Sequence, residues 1–204
     1  AAGVLAKAEL SLQLSEQAEK GYLQQNDAQG QAYAVLQRCQ IWLNQSRFQD
    51  VVRLGSEVLS TIESTGIPVE FETYHIIGNA YLSLGDLNKA HDYLKRAQNY
   101  AATQANNIDQ VMILSSYANA LWQMGKHTES VAACEFALET ARLLDNPNAL
   151  SAVLNDLGFY TYSLGRFRDA FGLFQEGLLR ARQAGIRRTE AFILIGLGEL
   201  SRDL

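Results

Sequence analysis

The residues that could do chemistry fall into a few small groups. The sequence closes on FILIGLGELSRDL, residues 192–204, and the G-L-G-E-L-S within it is one residue away from the G-x-G-x-x-G loop that cradles a dinucleotide pyrophosphate. That loop needs a strand before its glycines and an acidic residue roughly 20 positions further on. Helical periodicity precedes these glycines, and only six residues follow Gly198. M-G-K-H-T, residues 124–128, has the Gly-Lys of a phosphate loop, but Ala120 stands where the earlier glycine belongs and His127 where Ser or Thr must bind magnesium. His75, His91 and His127 lie in three separate segments with no carboxylate or cysteine at ligand spacing. Cys39 and Cys134 are 95 residues apart, which is neither a disulfide framework nor a metal motif. No acid, base and nucleophile constellation emerges, so the sequence reads as non-catalytic, with no metal and no cofactor. Six arginines, Arg166, Arg168, Arg180, Arg182, Arg187 and Arg188, form the one basic concentration. Asp169, Glu176 and Glu190 interleave them, as on a solvated outer face.

Composition narrows the classes further. The 204 residues are 48 % hydrophobic and 19 % charged, with a net charge of −5, a globular composition whose acidic balance disfavours tracking a phosphate backbone. No run of 18 apolar residues exists to span a membrane. Unpaired cysteines in helical contexts point to a reducing, cytoplasmic compartment. The chain lacks an initiator Met, and Leu204 stands in register with Leu84, Met124 and Leu164, each followed at once by a turn glycine. Both features read as a piece of a longer protein.

The elements that position these residues come from an internal repeat. IGNAYLSLGDLNKAHDYLKRA (77–97), YANALWQMGKHTESVAACEFA (117–137) and LGFYTYSLGRFRDAFGLFQEG (157–177) superimpose without gaps at a spacing of 40 residues. A weaker copy, RCQIWLNQSRFQDVVRLGSEV (38–58), precedes them, and LGELSRDL (197–204) opens another. Cys39, Gly78, Ala118, Gly158 and Gly198 form a small-residue column where a second helix can approach closely. Val51, Ala90, Ser130 and Ala170, and then Val58, Ala97, Ala137 and Gly177, are small columns on the following helix. Val35, Tyr74, Leu114, Leu154 and Leu194 are the larger apolar residues between them, at the spacing of one helix face. Ser46, Gly85, Gly125 and Gly165 stand where a left-handed helix end is wanted.

Each copy is thus a helix, a tight turn and a second helix. The pattern predicts an orphan helix near 4–20, pairs at 29–45/48–63, 69–84/87–104, 108–124/127–144 and 147–164/167–184, and a last helix at 188–204. Pro68 and Pro147 suit the first position of a helix.

These columns resemble the tetratricopeptide repeat, whose pattern carries a Leu-Gly pair, a later aromatic, a turn glycine, and Ala, large apolar, Ala on the second helix. The resemblance covers about residues 32 to 204. It departs from the 34-residue form in its length and in placing Ala102, Arg142 and Arg182 where a proline is usual. The long second helices resemble the subclass in sensor domains of MalT-type (LuxR-family) bacterial transcription activators, in kinesin light chains and in LGN-type scaffolds. It implies an all-α fold: a right-handed superhelix, or α-solenoid, of about ten antiparallel helices, four full repeats with half repeats at both ends, in a single domain over 1–204. Repeats fall at about 29–66, 68–105, 107–145 and 147–185, with a partial one at 187–204. The first helices then line the concave side.

Function would sit in that groove, and the residues singled out are His75, Asn79, Ser115, Asn119, Trp122, Asn155, Phe159 and Tyr162. The same faces also carry Tyr33, Gln37, Glu72, Met112, Ser116, Asp156, Phe192, Glu199 and Arg202. Asn79 and Asn119 share one column, and an amide supplies both a donor and an acceptor for an extended peptide or a polar small ligand. Tetratricopeptide domains that clamp a C-terminal carboxylate use Lys and Arg in the groove, and only Arg202 is available here. The expectation is a binding module: the sensor or protein-interaction domain of a bacterial signal-transducing transcription regulator. Its partner would be a peptide segment, other domains of the regulator, or a small polar ligand, without direct nucleic-acid or membrane contact. The alternative is a free-standing scaffold that holds an extended peptide of another protein. An unpaired last helix also predicts end-to-end self-association.

Overall fold

The structure, a computed structural model, describes residues 2–65, 71–102 and 108–203. Among them are ten helices and no strand: α1 (Ala2–Gln24), α2 (Ala28–Asn44), α3 (Phe48–Thr65), α4 (Phe71–Leu84), α5 (Leu87–Ala101), α6 (Ile108–Gln123), α7 (His127–Leu143), α8 (Pro147–Ser163), α9 (Phe167–Ala184) and α10 (Arg187–Asp203). This is an all-α helical-repeat fold. The chain divides into two compact units, Ala1–Tyr100 and Ala101–Leu204.

The helix pairs are closed by one repeated device. Ser46, Gly85, Gly125 and Gly165 all have positive φ, between 61° and 79°. The residue after each donates its N–H five positions back: Arg47 to Trp42, Asp86 to Tyr81, Lys126 to Leu121 and Arg166 to Thr161, at 2.9–3.1 Å. This satisfies a helix-end carbonyl and stops the helix where the left-handed residue stands. Gly185 ends α9 in the same way, through Ile186 to Ala181 at 2.9 Å. Helix starts are capped by side chains: Asp27 accepts from the Gly30 N–H at 2.9 Å and Asn146 from that of Ala149 at 3.0 Å, with Pro147 in the first turn as its rigid φ allows. Pro68 lies outside the described residues.

Within the first unit, the expected orphan helix is longer than its periodicity indicated and is not isolated. α1 runs to Gln24 because a single helical glycine, Gly21, costs too little to end it, about 1 kcal/mol; Asn26, at φ 55°, ends it instead. Glu19 on α1 pairs with the part-buried Arg38 on α2 at 2.8 Å. Cys39, Val51 and Ala80 are fully buried where α2, α3 and α4 meet.

In the second unit the small columns pack closely at most positions, with Gly198 the exception, since a Cβ there would meet nothing within 4 Å. Ala118, Ala137, Ala170 and Ser130 are fully buried. The Ser130 hydroxyl donates to the Ala118 carbonyl at 2.7 Å, so one small column of α7 is bonded to that of α6. Gly158 and Gly177 admit their neighbours closely: a Cβ on Gly158 would stand 2.7 Å from the Phe174 ring, and one on Gly177 3.0 Å from Ile193. Leu114 and Leu154 are buried, whereas Leu194 of the same column is 44 % exposed.

Candidate functional site

The first helices of the second unit, α6, α8 and α10, enclose a cavity of about 510 Å³. The volume lies within the range of small-ligand and peptide side-chain sites, roughly 300–1,000 Å³. α6 contributes Ser115, Ser116, Asn119 and Trp122, and α8 contributes Asn155, Asp156, Phe159 and Tyr160. These fall at i, i+1, i+4 and i+7 on α6 and at i, i+1, i+4 and i+5 on α8, so a single face of each helix reaches the cavity. Phe192, Ile195, Gly196 and Glu199 come from α10 at i, i+3, i+4 and i+7, and Phe174 of α9 closes the floor.

The aromatic wall is built in layers. Trp122 stacks on Tyr160 with ring centroids 4.5 Å apart and an interplanar angle of 21°, and His127 packs at 4.2 Å from the same indole. Phe159 meets Trp122 edge-on at 6.4 Å and stays 48 % exposed. The polar wall is made of amides and acids. Asn119 Oδ1 accepts from Gln123 Nε2 at 3.0 Å, and Asn155 Nδ2 donates to the Asp156 carboxylate at 3.2 Å. Burial pushes the Asp156 carboxyl up to about 6, against the smaller lowering effect of the Asn155 bond. The Tyr160 phenol is pushed up by burial first and then by the Asp156 charge. Cys134, beneath this layer on α7, is also raised by burial, and its thiol points to the Val153 carbonyl at 3.9 Å.

Five of the residues read from the sequence, Ser115, Asn119, Trp122, Asn155 and Phe159, line this one cavity. Tyr162 does not: its hydroxyl donates to Asp203 on α10 and its ring packs on Phe167 at 5.7 Å. It stands one turn past Phe159, at the end of α8, where it ties two helix ends together. His75 and Asn79 belong to the first unit. They bond each other across one turn, Asn79 Nδ2 to His75 Nε2 at 3.0 Å, and burial lowers the His75 pKa to about 4, so the imidazole is neutral near pH 7. Asn79 and Asn119 thus share a column, yet each is partnered within its own helix.

Tyr160, Phe174, Ile195 and Gly196 were not singled out from sequence. The signal existed for two of them. Tyr160 aligns with Ala80 and Ala120, so a large ring fills a column that is small in the two preceding repeats, and Phe174 falls opposite Gly158 as Leu94 falls opposite Gly78.

Among the described lining residues there is no histidine, cysteine, lysine or arginine. The lining offers amides, hydroxyls, carboxylates and rings, groups that recognise a ligand through hydrogen bonds and stacking. No cluster of His, Cys, Asp or Glu suited to a metal occurs among the described residues, and none of their helices is long and apolar enough to cross a membrane. Three of the six clustered arginines are engaged: Arg166 with Asp169 at 2.8 Å, Arg182 with Glu190 at 2.7 Å, and Arg188 over the Phe192 ring at 5.7 Å.

Paired helices of one repeated register, closed by the same left-handed turn and presenting their first helices to a cavity, define an α-helical repeat protein of the binding type. Models of the tetratricopeptide repeat match residues 71–104 and 109–183, so the chain carries tetratricopeptide repeats over both segments. No curated protein matches the sequence. Solved structures share the fold at low identity. The sensor-bearing signal transduction ATPase with numerous domains from Pyrococcus horikoshii is 20 % identical, with a TM-score of 0.71 over 96 % of this chain and 32 % of that one. Bacillus thuringiensis PlcR, solved with the peptide PapR7 and DNA, is 12 % identical with a TM-score of 0.71, over 93 % of this chain and 70 % of that one. BtubC from P. vanneervenii is 16 % identical with a TM-score of 0.69, over 96 % and 84 % of the two chains.

Proposed function

We propose that this chain is a non-catalytic peptide-binding module, acting as the sensor or protein-interaction domain of a bacterial signal-transducing regulator. The observation that carries the reading is the cavity of about 510 Å³ framed by α6, α8 and α10, with amide, hydroxyl and aromatic side chains facing it together. Asn119 and Asn155 each retain hydrogen-bonding capacity beyond the contact they make, since an amide has two donors and two acceptor sites. An extended peptide backbone matches that alternation of donor and acceptor. The fold is shared with the peptide-bound PlcR and with a sensor of a multidomain ATPase, which supports the same reading. Occupancy would shift a larger protein between two states by no more than the peptide's differential affinity for them.

The experiment is fluorescence anisotropy with labelled random-sequence peptides on the wild-type chain and on Asn119→Ala and Asn155→Ala. Each variant is expected to weaken binding about tenfold, the worth of one or two hydrogen bonds, with unchanged thermal unfolding. Affinity that does not change in either variant would remove the cavity as the peptide site.

A further inference from the structure

The cavity carries an imbalance of charge that a ligand would correct. Two carboxylates, Asp156 and Glu199, line it from different helices, and no lysine, arginine or histidine is among the described residues that do so. The donor to Asp156 is the neutral amide of Asn155 at 3.2 Å, and burial resists the carboxylate enough to raise its pKa to about 6. A half-buried carboxylate without a counter-charge is still costly, and a partner that brings a cation removes part of that cost on binding. Beside the acids stands an aromatic surface: Phe159 is half exposed and edge-on to Trp122. Rings and acids together form the surroundings a guanidinium prefers, because its plane stacks on a ring while its N–H groups meet a carboxylate. The molecule makes such contacts elsewhere with its own arginines, as where Arg47 lies 4.4 Å over Trp42 and pairs with Asp50 at 2.7 Å. On the α10 side, Phe192 is already approached by Arg188, which leaves the α8 side, around Phe159 and Asp156, for an incoming cation.

We infer that the cavity selects peptide segments bearing an arginine side chain, whose guanidinium stacks on Phe159 and pairs with the carboxylates of Asp156 and Glu199. The inference rests on the reading of this cavity as a peptide site and adds the class of side chain it takes.

Three labelled peptide libraries, identical except for a fixed central arginine, citrulline or glutamate, test it by anisotropy on the wild-type chain. Citrulline keeps the shape of arginine and drops the charge. The arginine library is expected to bind about tenfold or more tightly than the citrulline library, and the glutamate library more weakly still. Glu199→Gln, at a part-exposed position, is expected to narrow the arginine-to-citrulline ratio while leaving thermal unfolding in place. Asp156→Asn provides a second charge removal. Equal binding of the arginine and citrulline libraries, both weakened by Asn119→Ala, would overturn the arginine selectivity and leave the peptide site standing. An arginine preference untouched by either acid variant would also overturn it, and absence of binding by every library would overturn both readings.

Discussion

The ring of Phe174 is pressed against the backbone of Gly196: a Cβ added at Gly196 would stand 2.7 Å from Phe174 Cζ. Gly158 flanks the same ring from α8 at the same distance, and Phe174 is fully buried, so the ring has no exit toward solvent. Gly196→Ala forces the ring or α10 to move and is expected to destabilise the second unit by about 1–3 kcal/mol, as overpacking does. Gly198, two residues on, would place its Cβ within 4 Å of nothing. Gly198→Ala is expected to stabilise by about 0.5–1 kcal/mol through helix propensity alone. Urea unfolding of the two variants checks the opposite signs, and a shared sign would refute this packing.

Ser46 occupies the turn position that glycine holds in the next three repeats, at φ 61°. A side chain in that region costs roughly 1 kcal/mol that glycine does not. Ser46→Gly is therefore expected to raise stability by about that amount, and Gly165→Ala, at φ 76° with open space around it, to lower it by as much. Thermal unfolding of both variants measures the pair.

Asp156 makes stability depend on pH in a direction opposite to that of most carboxylates. Its pKa is raised from 3.8 to about 6 by burial, so the folded state binds the proton more tightly than the unfolded one. The stabilisation is complete below about pH 4 and is lost as pH rises through about 6. The ionisable groups coupled to it, Cys134 of α7 and Tyr160 of α8, have raised pKa values and stay neutral across that range. Asp156→Asn removes the charge and is expected to stabilise the protein at pH 7.5 by on the order of 1–3 kcal/mol, with little change at pH 4. Denaturant unfolding at the two pH values decides it; a variant less stable at pH 7.5 would show that the carboxylate is held by contacts stronger than its desolvation.

Much of the fold was legible because the repeat supplies its own alignment. A small residue in every copy, such as Cys39, Gly78, Ala118 and Gly158, has one physical meaning, close approach of a second helix, and that reading needs only the period. Turn glycines behave likewise, since a left-handed φ is a local property. Local signals also set their own limits: the first helix, expected near 4–20, runs on to Gln24, because the residue that takes the left-handed conformation is Asn26.

The candidate site was half legible. Asn119, Trp122, Asn155 and Phe159 could be assigned to an inner face from helical spacing. Their companion Gly196 could not, because it reaches the cavity only by packing against the Phe174 ring of α9. Tyr162 had the right type and helix face and still fell outside, since Asp203, 41 residues away in sequence, captures its hydroxyl.

By itself the sequence determined the helices, their pairing, the left-handed turns and the absence of a catalytic constellation, all of which depend on residue type and on spacings within one repeat. Only the tertiary structure decided that α6, α8 and α10 frame one cavity, that Phe174 forms its floor, and that Asp156 stands half-buried there with no lysine, arginine or histidine among the described lining residues. Those outcomes depend on how far apart three helix faces stand, and that distance is set by the fit of particular side chains between repeats rather than by the period the repeats share.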